Sequence, residues 1–383
     1  MTARVYAIPG GFLHIHTLLE RMPLDALLGF AARTNPRRPF LFVSKVLGRH
    51  IPCRPSFMRE TYRLLAQDLA DAPGPLWTIG MAETATGLAA GVADTLARAH
   101  GRADVSFHHT TRMPLNLKPL AEFCEAHSHA RSHLLYGPHS WLVGAFRHTR
   151  TLVIVDDEIS TGRTLAELAE RTLPSMPHVE RVAIVTLANW LDPESRQAIE
   201  VRVRRDGSAL TTSWHTLLAG TFAFEPNADF HPGTMPANVE ATGAPQWARE
   251  DLGRRGIAVP RGGFPTPAID LDGLEPDRPI AMVGTGECAF QPFLLAESLE
   301  RTGYRVTVQC TSRSPVQVGG AIAATLPCPD PYGQSVGYYL HNPPPQRCLG
   351  VSVSERDCGQ PPVVAAGDWL HCRVPDPPQR PSG

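Results

Sequence analysis

The sequence predicts an α/β protein in two parts, a parallel-sheet domain over residues 1–235 and a second, smaller α/β domain over 279–374. Three observations carry this. Leu152 to Val155 is a run of four apolar, mostly β-branched residues, the composition of a strand buried on both faces. It passes through a polar loop into a helix with apolar positions at Leu165 and Leu168. The same strand–loop–helix order recurs at Leu76 to Ile79, Gly80 to Gly87 and the small-residue stretch Leu88 to Ala99. It recurs again where Pro279 to Val283, a glycine turn, Phe293 to Thr302 and Tyr304 to Val308 make a strand–helix–strand unit stopped at Gly303.

The remaining elements follow in chain order. Leu18 to Ala32 is apolar and reads as a helix, broken by Asn-Pro-Arg-Arg-Pro at 35–39 ahead of a short strand at Phe40 to Val43. Residues 44–52 are unusually basic for so apolar a segment. Lys45, Arg49 and His50 there fit either an anion-facing loop or a solvated one. An amphipathic helix is predicted over 57–70, with Phe57, Tyr62, Leu65 and Leu69 near one face. Val105 to Phe107 is a strand, and the long polar stretch after it reads as a functional lid. That stretch holds Arg112, Glu125, His127, His129, Arg131 and His133. Its alternating spacing suits a strand edge, and Glu125 is the one nearby acid, so phosphate or base contact is expected there rather than zinc. Val182 to Leu187 is another buried strand, ending at Asn189-Trp190-Leu191; Trp190 is open to a core or a base-stacking role. Residues 201–204 and 213–224 alternate about Asp206-Gly207 and predict an antiparallel hairpin. Residues 236–278, rich in Pro and Gly, read as linker, and 375–383 as a disordered tail.

Composition narrows the classes of function. With 383 residues, a net charge of −1 and a pI near 7.0, nothing points to a nucleic-acid or membrane surface. A hydrophobic content of 43% supports a full core, and no apolar run reaches bilayer length. The N-terminus carries no apolar export segment, so a cytoplasmic protein is expected, with its 8 cysteines as thiols. No Cys-x-x-Cys pair accompanies Cys328, Cys348, Cys358 and Cys372, which argues against zinc in the tail.

The chemistry is concentrated in 152–164. Asp156 and Asp157 stand where the strand ends, and ligands of open parallel sheets bind beyond the carboxyl ends of strands. The loop Ser160 to Thr164 feeds a helix N-terminus, which aims backbone N–H groups at one spot and suits a phosphate. Adjacent carboxylates beside that phosphate accept hydrogen bonds from a sugar diol. Phosphate and vicinal diol together describe a ribose 5-phosphate.

Leu-Val-Ile-Val-Asp-Asp-Glu-Ile-Ser-Thr-Gly-Arg-Thr, 152–164, resembles the 5-phosphoribosyl-1-diphosphate (PRPP) signature of type I phosphoribosyltransferases. The resemblance implies a Rossmann-like parallel sheet in which Asp156 and Asp157 hold the ribose hydroxyls and are the protein's ligands to Mg²⁺. It places Ser160, Thr161, Gly162, Arg163 and Thr164 around the 5-phosphate. It makes Ala82, Glu83, Thr84, Thr86 and Gly87 the pyrophosphate loop. That loop departs from many relatives in lacking Lys or Arg, so Lys45 or Arg112 is expected to supply the counter-charge, and Arg112 belongs to the lid. Residues 311–315, Thr-Ser-Arg-Ser-Pro, resemble the Thr-Arg-Ser-Pro signature of the TRSP domain, with Ser312 as an extra residue. That domain is found fused after phosphoribosyltransferase domains encoded in bacterial tellurium-resistance gene clusters. The turn Gly284 to Ala289 also fits a dinucleotide fingerprint, but the acid expected about twenty residues on is missing. Thr285, Gly286, Glu287, Ser312, Arg313 and Ser314 are therefore expected to converge on a small anionic ligand of their own.

Together these readings imply a PRPP-dependent transferase. It would join ribose 5-phosphate to a base-like acceptor and release pyrophosphate, in the making or modification of a nucleoside-like metabolite. A non-catalytic PRPP or nucleotide sensor, the reverse reaction and a PRPP-forming diphosphokinase are the alternatives. A homodimer is compatible, since lids in such folds are often completed by a neighbouring subunit.

Overall fold

Eight strands make the main sheet of the computed structural model, which describes residues 2–35, 38–124, 132–204, 210–231, 251–268, 274–356, 363 and 367–374. Their spatial order is Thr2–Ile8, Gly11–Glu20, Thr211–Pro226, Arg181–Asn189, Thr151–Ile159, Leu76–Gly80, Val105–His109 and Ile257–Ala258. The five strands from Thr211–Pro226 to Val105–His109 run parallel, and the flanking ones pair antiparallel. Helices cover both faces, which is why Leu152 to Val155 and Val182 to Ile184 are almost wholly shielded from solvent. Helix Thr86–Ala99 is buried along nearly its whole length because its Ala and Gly residues admit close neighbours. A Cβ at Gly91 would overlap the Tyr62 ring of helix Pro55–Gln67.

Three sequence expectations are corrected. The N-terminal helix over 18–32 is instead the end of the hairpin Thr2–Ile8/Gly11–Glu20, a short helix Leu24–Leu27, and the strand Leu28–Ala32 paired with Phe40–Ser44. The hairpin alternates, with Leu13 and Ile15 inward, but Val5, Phe12 and Leu18 on its outer face are also apolar and hide the period of two. Residues Pro193–Val203 form a helix, not a strand, with the Asp192 carboxylate accepting the Ser195 N–H at 2.7 Å as its cap. Thr211–Pro226 then pairs parallel to Arg181–Asn189, so the predicted hairpin is absent among the described residues, and its turn at 206–207 lies outside them. Third, strand Thr151–Ile159 continues through the acids, so Asp156 and Asp157 lie inside its last turns of pleat rather than after it.

In the second part, strands Val306–Cys310, Ile280–Gly284, Leu349–Ser354 and Trp369–Arg373 form a parallel sheet, and helix Phe290–Arg301 makes the crossover predicted from sequence. That helix packs against both Pro55–Gln67 and Thr86–Ala99. Arg59 fastens it, reaching Glu297 and Asp94 at 2.7 Å each. Cys53 and Val308 exchange backbone hydrogen bonds at 2.9 and 2.7 Å. Residues 251–268, expected as linker, pack into the fold: Ile257–Ala258 pairs with Phe107 and Ser106, and the Phe264 N–H donates to Asp94 at 2.7 Å. No helix among the described residues is long and apolar enough to cross a membrane. The predicted tail, 375–383, lies outside the described residues, as does Cys358.

Candidate functional site

The parallel topology brings the carboxyl ends of Leu76–Gly80, Val105–His109 and Thr151–Ile159 side by side, and the loops leaving them enclose one cleft. Its empty volume is about 880 Å³, counting the part open to solvent. Asp156, Asp157 and Thr164 form one wall, and Ala82, Glu83 and Thr84 another. Arg112 and His133 come from beyond the third strand. The N-terminal segment contributes Arg33, Arg38, Phe42 and His50, and the second domain contributes Ser312 and Ser314.

The loop of 160–163 turns at Gly162, whose φ of +64° is the left-handed conformation that glycine adopts without a Cβ penalty. A Cβ there would also overlap the Ile199 side chain. Helix Arg163–Thr172 starts at that point, aiming its N-terminus over the strand ends. Thr164 lines the cleft, whereas Ser160, Thr161, Gly162 and Arg163 are not among its lining residues. On the acidic wall, the Asp157 N–H donates to Asp156 Oδ1 at 3.0 Å, and Glu158 pairs with Arg38. Arg38 lies over the rings of Phe40 and Phe42 at 5.1 and 5.5 Å.

Across the cleft the Ala82–Glu83 peptide is cis, and the Ala82 N–H donates to the Thr110 hydroxyl at 2.8 Å. Thr110 in turn meets His133 Nδ1 at 3.1 Å, and the His133 ring stacks on Phe123 at 5.0 Å. Arg49, 2% exposed, donates to the carbonyls of Glu83, Gly286 and Thr311. Its segment is therefore neither solvated nor open to the cleft at this residue. Lys45 is not brought to the cleft: its Nζ donates to the Asp25 carbonyl at 2.7 Å. Thr86 and Gly87 begin the following helix; Thr86 faces a second cavity, and Gly87 packs on Ala289 of the second domain. Glu125, His127, His129 and Arg131 lie outside the described residues, between strands Pro119–Cys124 and Ser132–Tyr136.

The second-domain set is divided by the structure. Ser312 and Ser314 reach the cleft, whereas Glu287 lies on the second cavity, which Thr86 also lines. Its carboxylate accepts from Thr111 Oγ1 at 2.6 Å, the Arg112 N–H at 2.8 Å and Arg254 at 2.9 Å. Burial alone would raise the Glu287 pKa, but Arg254, His109 and these donors outweigh it and hold it at about 2. Gly286 N–H is likewise taken, donating to Thr311 Oγ1 at 2.9 Å. Glu287 and the Gly286 N–H are thus engaged by groups of the protein itself. Trp190 resolves to the core: it is 5% exposed and stacks on Phe42 at 4.9 Å. Cys328, Cys348 and Cys372 are free thiols, and no cluster of three or more metal-ligating side chains occurs among the described residues.

Arg33 and Arg38 escaped the sequence reading because one precedes and the other lies within a Pro-rich breaker that carries no motif; only the folding of Leu28–Ala32 against Phe40–Ser44 turns them toward the acids. Among solved structures, the chain is similar to adenine phosphoribosyl transferase from Trypanosoma brucei in complex with AMP, pyrophosphate and ribose-5-phosphate. That match is 12% identical, covers 56% of this chain and 87% of that one, and has a TM-score of 0.37. Adenine phosphoribosyltransferase from Rhodothermus marinus is 15% identical over 51% of this chain and 96% of its own, with a TM-score of 0.35. A hypoxanthine-guanine phosphoribosyltransferase from Bacillus anthracis is 18% identical over 43% and 78%, with a TM-score of 0.26. No curated protein matches the chain. Residues 265–358 match the model of the TRSP domain that lies C-terminal to the transferase domain in such chains. Residues 27–221, just over half of the chain, match the phosphoribosyl transferase family model, and the protein therefore belongs to that family.

Proposed function

We propose that the protein transfers ribose 5-phosphate from PRPP to a heterocyclic, base-like acceptor with release of pyrophosphate. The observation that carries this is the convergence, in one cleft, of Asp156 and Asp157, Thr164 at the start of the helix that follows them, and the loop at 82–84. These supply in turn acceptors for the ribose diol, N–H donors for the 5-phosphate and a seat for the leaving group. Displacement at the anomeric carbon passes through an oxocarbenium-like state, so positioning and charge stabilisation do the catalysis and no side-chain nucleophile is required. Leu41, Phe42 and Met81 are the larger apolar residues of the lining, beside which a flat acceptor ring would lie. Arg112 donates to the Ala82 carbonyl at 3.3 Å, which holds its charge beside the pyrophosphate loop.

The adjacent carboxylates of Asp156 and Asp157 are partly exposed toward the cleft, and hard oxygen donors of this kind suit Mg²⁺. Mg²⁺ held there with PRPP would offset negative charge on the pyrophosphate. Calorimetric titration of PRPP with Mg²⁺ into the wild type and into Asp156→Asn/Asp157→Asn tests the reading. Binding to the wild type that is lost in the double variant is expected; a wild type that binds no PRPP refutes it. Heterocyclic acceptors are then screened by pyrophosphate release.

A further inference from the structure

A loop that receives pyrophosphate needs positive charge, yet residues 82–87 contain Glu83 and no Lys or Arg. The structure places cations behind the loop instead. Arg49 approaches Glu83 Oε1 at 3.7 Å from one side, and Arg313 of the second domain approaches Oε2 at 4.0 Å from the other. Neither distance is a hydrogen bond. Glu83 Oε1 and Arg313 Nε are both buried without a hydrogen-bond partner. Two guanidinium groups thus face this one carboxylate under the loop. Beyond it, Arg254 is shared between Glu287 and Glu355.

Two hydroxyl groups accompany that charge. Ser312 Oγ accepts the Ser314 N–H at 3.1 Å, which leaves its own proton to donate. The Ser314 hydroxyl has no partner among the described residues, although the residue is only 8% exposed, and both serines line the cleft. Their turn is fixed from several directions. Ser312 and Tyr339 exchange backbone hydrogen bonds at 2.9 and 2.8 Å, His341 Nε2 meets the Ser314 carbonyl at 3.0 Å, and Arg49 donates to the Thr311 carbonyl at 2.7 Å. Fixed hydroxyl donors with two guanidinium groups behind them are the arrangement that stabilises a departing anion.

We infer that the second domain completes the transferase site, with the Ser312 and Ser314 hydroxyls hydrogen-bonding the pyrophosphate of PRPP and with Arg313 and Arg49 supplying the charge that the 82–87 loop lacks. Arg313 is a positioning residue, acting through Glu83. This rests on the phosphoribosyl reading of Asp156 and Asp157.

The test titrates PRPP, pyrophosphate and ribose 5-phosphate, each with Mg²⁺, into the full chain. Ser314→Ala and Ser312→Ala/Ser314→Ala are expected to weaken PRPP and pyrophosphate by about tenfold to a hundredfold, as loss of hydrogen bonds to a charged group predicts. Ribose 5-phosphate, which lacks the pyrophosphate, keeps its affinity. Glu83→Gln tightens pyrophosphate, and Arg313→Lys retains most of the affinity that Arg313→Met loses. A merely structural role would weaken all three ligands together and leave Glu83→Gln no better than wild type. If the double serine variant does not fold, Ser314→Ala and Glu83→Gln carry the decision. Unchanged pyrophosphate affinity in Ser314→Ala, with PRPP still bound by the wild type, overturns this inference alone. A wild type that binds neither PRPP nor ribose 5-phosphate overturns the phosphoribosyl reading and this inference with it.

Discussion

Replacing Arg254 by Met tests whether residues 251–268 hold the two halves of the protein together. The guanidinium is completely buried and reaches Glu287 at 2.9 Å, Glu355 at 2.8 Å through each of two nitrogens, and the Leu252 carbonyl at 2.8 Å. Glu287 and Glu355 keep only 2% and 10% of their side-chain surface in water, so removing the cation strands two carboxylates. Breaking one side of a buried ion pair costs about 3–5 kcal/mol. The Thr111 hydroxyl and Arg112 N–H still serve Glu287, which keeps the cost within that range rather than doubling it. Urea unfolding followed by tryptophan fluorescence measures it, since Trp77 packs against Gly256 in the same segment. Replacing all three groups at once, Arg254→Met/Glu287→Gln/Glu355→Gln, is expected to cost less than Arg254→Met alone, because no charge is left unpaired. The single variant's deficit also shrinks on lowering the pH toward 4, as the Glu287 carboxyl, no longer held down by Arg254, takes up a proton. A loss below about 1 kcal/mol for Arg254→Met, or a triple variant worse than the single one, would refute the account of this joint.

Gly162→Ala meets both a left-handed φ of +64° and the Ile199 side chain, so about 1–3 kcal/mol of stability and most of the PRPP affinity are expected to be lost, read by thermal melting and calorimetry. Gly91→Ala drives a methyl into the Tyr62 ring and is expected to cost about 1–3 kcal/mol of stability in urea unfolding while leaving ligand affinity within about twofold. Burial pushes His341 down to about 4 and His108 to about 3, below the ordinary value near 6.5 that they regain on unfolding. Between pH 6.5 and 4 the unfolded chain takes up protons that the native one refuses. Stability is therefore fully present above pH 6.5 and falls as the pH drops, by up to about 1.4 kcal/mol per pH unit for each histidine. His341→Gln is expected to flatten part of that slope in melting curves between pH 7.5 and 4.5.

Buried strands with helices on both faces were legible in the sequence because nothing else demands four to six consecutive apolar residues between polar loops. Leu152 to Val155 and Ile280 to Val283 satisfy that condition outright, and Leu76 to Ile79 and Val182 to Leu187 do so but for one threonine each, Thr78 and Thr186. Two-sided patterns were not. Val201-Arg202-Val203-Arg204 alternates over too few residues to separate a strand from the last turn of a helix, and the Asp192-Pro193 start was the stronger signal. The N-terminal hairpin was obscured by apolar residues on its solvent side, Val5 and Leu18 being 60% and 62% exposed. In the site, loops that act through contiguous residues were legible: the acids and the 160–164 turn lie in one stretch. Contributions that arrive from elsewhere, Arg33, Arg38 and the route of Ser312 and Ser314 into the cleft, depend on which elements pack together, and no local spacing encodes that.

Arg49 shows why such contributions matter. Its segment read as either anion-facing or solvated; in the fold His50 lines the cleft, whereas Arg49 is neither, because its donors end on main-chain carbonyls of both domains. A buried guanidinium must satisfy its N–H groups, and carboxylates would do so while cancelling its charge. Carbonyl oxygens satisfy the same donors and leave the charge in place. The field therefore reaches the 82–87 loop through a few ångströms of low-dielectric protein, where it acts more strongly than from solvent. An acid inside that loop is then tolerable, since Glu83 stands between Arg49 and Arg313 and draws their heads toward the loop backbone. The loop can stay small enough for a ligand to approach its main chain, while the cations that a Lys or Arg within it would have provided are carried by the joint between the domains.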